Sequence, residues 1–297
     1  MNELYKCVSN GMREIVPLST LAILFERNSK LEQHGTGTLI RFADHWLLVT
    51  ASHVVEQYME ARDRGFEGPL YVSPSPAGGN LIQLVGRPFY TPRKHPSSSR
   101  LDIYDLAFCE LDREMVNALS ERTFLNRADT NLQADVSSGV FYVSGFPKAW
   151  STTAQANADT LVQRAFQLTT HAHEGTPSSG ITYSAKHHIL LDCDKRNLFD
   201  LNGNCVAIPE LQGISGCGIW RVCDDSQDPL TWDVKQAKLV GVQTRVIEYR
   251  DDSRTLRHVI CGTRLMGVVA MLVKEFPDLK KSFGSCFSLY KEAWQAD

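Results

Sequence analysis

The chain has 297 residues with 31 Lys and Arg against 34 Asp and Glu, a net charge of -3, so charge gives no case for nucleic acid or an anionic membrane as partner. Hydrophobic residues at 43% and charged ones at 22% are the proportions of an ordinary soluble globular protein. No stretch approaches the ~18 uncharged apolar residues of a spanning helix, which excludes a helical membrane protein.

In chain order, the N-terminus carries Glu3, Lys6, Arg13 and Glu14 where a signal peptide would have its apolar core. A cytoplasmic protein is the resulting expectation. Short β-like runs follow at Val16 to Phe25, Thr36 to Phe42 and His45 to Thr50, and then a helical stretch at Val54 to Asp63. Gly65 to Arg100 is turn-rich, with a hairpin expected around Leu81 to Val85. Asp105 to Leu111 reads as a strand, and Leu111 to Asp129 as a polar, partly helical crossover. Gly139 to Pro147 is a strand closed by a Gly/Pro turn. Further strands are predicted at Leu161 to Thr170, Ile189 to Asp192, Gly218 to Cys223, Ala237 to Ile247 and Leu256 to Cys261. Ser151 to Asp159 reads as a loop, and Leu265 to Glu275 has helical spacing. This order predicts an all-β chain: two antiparallel six-stranded β-barrels with a C-terminal helix. The expected units are 1–120, 121–262 and a terminal helix and tail at 263–297.

The eight cysteines stand at positions 7, 109, 193, 205, 217, 223, 261 and 286, with no C-x-x-C pair to suggest zinc. Several lie in apolar runs, as Cys109 does after Leu106-Ala107-Phe108, where a free thiol acts as a small hydrophobe. Reduced thiols are therefore expected. The histidines of His171-Ala172-His173 and His187-His188 read as strand or loop decoration, and no metal is expected.

The chemistry concentrates in three segments. Gly213-Ile214-Ser215-Gly216-Cys217-Gly218 sets a serine at a glycine-lined turn, where backbone N–H groups can face a reacting carbonyl. Serine is a weak nucleophile that needs a base, and the base needs an orienting acid. Thr50-Ala51-Ser52-His53 ends a strand with a histidine, and Asp105-Leu106-Ala107-Phe108 opens another with an aspartate, with Asp102 as a rival acid. Cys217 is a rival nucleophile.

These segments, in the order His, Asp, Ser, resemble the chymotrypsin-like (trypsin-like) serine peptidases, over roughly Val16 to Val273. Gly37-Thr38-Leu39-Ile40 and Gly145-Phe146-Pro147 (the latter as in bacterial members) add to the likeness, as do Leu239-Val240-Gly241-Val242 and Cys261-Gly262-Thr263. The separations are 52 (105 − 53) and 110 (215 − 105), and the longer one implies an insertion between about Ser151 and Pro209. The resemblance implies a serine endopeptidase with His53 as base, Asp105 as its orienting acid and Ser215 as nucleophile. It also implies an oxyanion hole from the N–H groups of Gly213 and Ser215, with no cofactor. It assigns the motif position to Ser215 and leaves Cys217 as a buried residue behind the turn. Pro209, Gln243, Thr244, Arg245 and Gly262 would line the substrate pocket; Pro209, where trypsin-type members keep an aspartate, favours a non-basic preference, while Glu210 one residue along leaves a basic one open. Ile214 stands where zymogen-activated members keep an acid, so control would come from a regulatory partner or from the insertion. The partner expected in every case is a protein or peptide substrate. By family analogy the role would be that of a regulated bacterial peptidase, antiphage defence included. The competing reading is a non-catalytic peptide-binding module on the same fold.

Overall fold

A computed structural model describes residues 3–27, 30–65, 68–75, 80–84, 89–91, 104–153, 161–162, 164–175, 183–193, 198–199, 210–250 and 256–284. Asp102, Pro209, Cys205 and Cys286 lie outside these residues. The chain opens with helix α1 (Glu3–Ser19) and continues into strands β1 (Thr20–Arg27), β2 (Lys30–Phe42) and β3 (His45–Ala51). Val16 to Ser19 is therefore the last turn of a helix and not the start of a strand. Leu4, Val8, Met12 and Val16 recur every four residues and are all buried, which is a helical stripe facing a core. Helix α2 (Ser52–Asp63) begins just after β3, followed by β4 (Leu70–Val72), β5 (Ile82–Gln83) and β6 (Leu106–Glu110). β4 and β5 pair antiparallel, with Tyr71 opposite Gln83, so the segment read as a hairpin around Leu81 to Val85 supplies one strand of a pair whose partner lies earlier in the chain, and Val85 lies outside the described residues. Helix α3 (Arg113–Ala118), capped by Asp112, starts the crossover.

The second half contains β7 (Val140–Gly145), β8 (Thr152–Thr153), β9 (Leu161–Val162), β10 (Phe166–His171), β11 (His188–Asp192) and β12 (Leu198–Phe199). It closes with β13 (Gly218–Cys223), β14 (Lys238–Arg250), β15 (Leu256–Arg264) and helix α4 (Leu265–Glu275). The first sheet has six strands in the order β5-β4-β1-β2-β3-β6, and the second has seven in the order β11-β15-β14-β13-β7-β10-β12. Every pairing between these strands is antiparallel. Two antiparallel sheets of this order with a C-terminal helix make the chymotrypsin-like fold, and the two-residue β12 is the strand added to the expected six. The segment read as an insertion is not wholly extra, because it supplies β10 and β11 to the second sheet.

Alternation along the strands sorts most buried apolar side chains of the described residues into three main cores, with a small fourth of Leu190, Ile247, Val259 and Cys261. Leu48 of β3 points into the first sheet's interior with Leu21, Leu39 and Val54, whereas Leu47 and Val49 face the other way. In β7, Phe141 and Val143 enter the second interior, and Val140 and Tyr142 join Leu47 and Val49 in a shared core. That shared core also takes in the stripes of α1 and α4. Strands buried on both faces read as continuous apolar runs, which is why β3 and β7 lack a polar face. Ser9 of α1 meets Thr169 of β10 through their hydroxyls at 2.7 Å, so a helix at the start of the chain is fastened to the second sheet. No helix among the described residues is long and apolar enough to cross a membrane.

Candidate active site

His53 sits in the first turn of α2, directly after β3, and Asp105 immediately precedes β6, the strand paired with β3. The pairing Ala51↔Leu106 brings the two residues together. His53 Nδ1–H donates to Asp105 Oδ2 at 2.9 Å, while the His53 backbone N–H and the Ser52 hydroxyl donate to Oδ1 at 3.1 and 2.9 Å. Burial pushes the Asp105 carboxyl up, but the hydrogen bond and charge of His53, with Ser52, outweigh it and hold the pKa below the usual 3.8. Asp105 has φ 47°, in the left-handed region that Asp tolerates better than most residues.

Ser215 lies in the loop before β13, between Gly213 (φ 100°) and Gly216 (φ 101°). A Cβ on Gly216 would stand 1.9 Å from the Thr36 carbonyl oxygen, so this turn requires glycine on both conformational and steric grounds. The loop's peptides are held one by one. The Lys148 N–H donates to Gln212 O at 2.7 Å, and Ile214 N–H to Leu211 O at 3.2 Å. Cys217 N–H donates to Ile214 O at 3.1 Å, and Gly216 N–H to Gln243 O at 2.8 Å. The N–H groups of Gly213 and Ser215 have no hydrogen-bond acceptor among the described residues. The Ser215 hydroxyl donates to Thr244 O at 3.4 Å and makes no hydrogen bond to His53.

Two depressions meet at His53 and Ser215. One, of ≈ 680 Å³, is walled by Glu210, Leu211, Thr244, Arg245 and Val246. Glu248 and His258 also line it, with His258 Nδ1 3.2 Å from Glu248 Oε1. The other, of ≈ 380 Å³, is bounded by Gly213, Gln33, His34 and Lys148. Burial lowers the pKa of His34, whose Nε2–H donates to Val54 O at 2.8 Å. Lys148 Nζ reaches Glu32 Oε2 at 3.0 Å and ties the two halves of the chain across this depression. Among the described residues no group of three or more His, Cys, Asp and Glu is placed to hold a metal ion.

Of the residues expected to bind substrate, Thr244 and Arg245 line the larger depression. Gln243 and Gly262 do not: Gln243 is fully buried, and a Cβ on Gly262 would meet Ile219 Cδ1 at 2.2 Å and Val242 O at 2.7 Å. The bulge in β14 at Gln243/Arg245 sets Thr244 apart from its neighbours in the register with β15. Cys217 is wholly buried, and burial drives its thiol pKa far up, which leaves it unsuited to nucleophilic attack. Ile214 is packed in the second interior with Phe141 and Val143. Sequence reading missed Thr36, Thr38 and Thr50, three fully buried threonines of the first sheet that contact this loop or one another. Their signal is the Thr36-Gly37-Thr38 alternation, which puts two hydroxyls on one face of β2.

No protein-family model and no curated protein matches the chain. Solved structures do. An atomic-resolution structure of HBP aligns at TM-score 0.45 and 14% identity over 90% of this chain and 91% of that one. A mutant of human heparin binding protein aligns at 0.44 and 13%, covering 88% and 90%. A structure from work on coupled folding and binding of the Sesbania mosaic virus VPg protein aligns at 0.41 and 13%, covering 85% and 88%. The fold assignment rests on the strand order and not on these likenesses.

Proposed function

We propose that the chain is a serine-type endopeptidase in which His53, Asp105 and Ser215 act as base, orienting acid and nucleophile. The observation that carries this reading is the pair of unbonded N–H groups on Gly213 and Ser215, in a loop whose carbonyls are all engaged, beside the His53–Asp105 pair. Donors fixed in advance at the place where charge develops are the largest single aid to acyl transfer. In the reaction the Ser215 hydroxyl turns from Thr244 O to His53 Nε2 and gives up its proton as Oγ attacks the peptide carbonyl. The oxyanion accepts from Gly213 and Ser215 N–H, and the imidazolium, steadied by Asp105, returns the proton to the leaving amine, leaving an acyl ester on Ser215; water, deprotonated by His53, then attacks that ester and releases the acid and the free serine. The substrate is a protein or peptide lying along Thr244 to Val246, in a cleft whose charged wall of Glu210 and Arg245 discriminates among side chains. We further place the enzyme in a reducing, cytoplasmic setting, under the control of a partner, as a regulated bacterial peptidase.

The Ser215–Thr244 bond favours a second reading, a binding module whose serine does not engage its histidine. Resting sites commonly align only with substrate bound, so the bond does not decide between the two. Peptide hydrolysis does. Ser215→Ala and His53→Ala should each abolish turnover with little loss of stability, since both remove a member of one unit. Turnover retained in either variant contradicts the peptidase reading.

A further inference from the structure

Every carbonyl of the loop around Ser215 has a donor, and two of those donors belong to one residue of the other sheet. Thr36 N–H donates to Ser215 O at 2.8 Å, and Thr36 Oγ1–H donates to Gly213 O at 2.8 Å. The same hydroxyl accepts from Phe146 N–H at 3.1 Å, so both its donor and its acceptor capacity are used. Thr36 is itself held, since the Thr50 hydroxyl donates to Thr36 O at 2.7 Å, and Thr38 adds a bond to Gly216 O at 2.9 Å. Peptide units are planar, so fixing a carbonyl fixes the N–H on its far side. With Lys148 holding Gln212 O and Cys217 holding Ile214 O, the N–H groups of Gly213 and Ser215 are left facing the cleft, and Thr36, on Gly213 O, fixes the Gly213–Ile214 peptide that links those two planes.

We propose that the Thr36 hydroxyl is a positioning group for the oxyanion loop, so that the first sheet sets the activity of a site built on the second. The inference rests on the peptidase reading for its kinetic consequence, but its structural part is independent of turnover. A valine keeps the branched shape of Thr36 without the hydroxyl, and a serine keeps the hydroxyl without the methyl. In nitrogen-labelled full-length protein, Thr36→Val should displace or broaden the amide resonances of Gly213 and Ser215. Thr36→Ser should leave both near their wild-type positions. In peptide hydrolysis Thr36→Val should lower kcat about ten- to a hundred-fold with KM changed less than about three-fold, somewhat below the loss of a whole oxyanion donor. Thr36→Ser should restore kcat to within about three-fold of wild type. A role in packing alone would reverse the order of the two variants. Should Thr36→Val not fold, Thr36→Cys against Thr36→Ser makes the same comparison, because a thiol is a weak donor of similar size. Unchanged Gly213 and Ser215 amides in Thr36→Val, or a serine variant as impaired as the valine one, would overturn the proposal. If the wild-type chain hydrolyses nothing, the peptidase reading fails, and the amide resonances alone still decide whether Thr36 sets the loop.

Discussion

Asp105 combines three features at one residue: a left-handed backbone, two oxygens with three donors, and a carboxyl kept charged in a half-buried place. The donors to Oδ1 fix the rotamer, which leaves Oδ2 free to select the tautomer of His53 with its proton on Nδ1. Asparagine tolerates the same backbone region, so Asp105→Asn should fold normally. Its amide NH₂ can face Nδ1 only as a donor, which forces the proton to Nε2, and turnover should fall by about four orders of magnitude. Steady-state kinetics and a melting curve on the same preparation check both halves, and a loss under tenfold would show that Asp105 does not orient the base. His53, Asp105 and Ser215 were legible in the sequence because polar residues at the ends of apolar strands stand out against their surroundings. Thr36 and Thr50 were not, because a threonine inside a strand is accounted for by β propensity alone. Gln243 and Gly262 were assigned to the pocket from their segments, and the inward-facing side of β14 and β15 is where the chain puts them.

At the level of elements, strands with clear boundaries were read closely, as with Gly218 to Cys223 and the helix Leu265 to Glu275. Helix α1 was missed where its last turn runs into β1 without a break, so that Val16 and Leu18 looked like the beginning of the strand. The predicted strand Leu161 to Thr170 is two, β9 and β10, belonging to different sheets. One contact between elements gives a pH test. His45, in the first residue of β3, places Nδ1 2.6 Å from Glu110 Oε1 and Nε2 3.1 Å from Asp278 Oδ2, with its ring 4.3 Å from that of Phe276. Burial lowers the His45 pKa, but the bonds to Asp278 and Glu110 outweigh it, and the net shift is upward from 6.5. A raised value means that the protonated form is favoured by folding. The stabilisation is full below pH 6.5 and is lost as the pH rises through the higher folded value. The melting temperature of wild type should therefore exceed that of His45→Gln most below pH 6.5, and the gap should shrink in alkaline buffer. A gap that widens with pH would contradict this assignment.

On the scale of the whole molecule, the largest apolar cluster lies between the two sheets and is completed by α1 and α4. The site is built across that junction: β3, α2 and β6 present His53 and Asp105, the loop before β13 presents Ser215, and Thr36 crosses from one to the other. Each buried side chain of the α1 stripe contributes about 1.5–3 kcal/mol, so the helix is part of the fold. The two-sheet plan was legible from strand count and order, whereas the docking of the sheets was not, because sequence alternation shows which face is buried and not what covers it. The central claim is that Ser215 is a nucleophile made reactive by His53 within a formed oxyanion hole. Labelling with a fluorophosphonate, followed by peptide mapping, tests it most directly. The account predicts a stable adduct on Ser215 of the wild-type chain, strongly slowed in His53→Ala and absent in Ser215→Ala. An unlabelled wild-type chain, or an adduct on Cys217 or elsewhere, would contradict it.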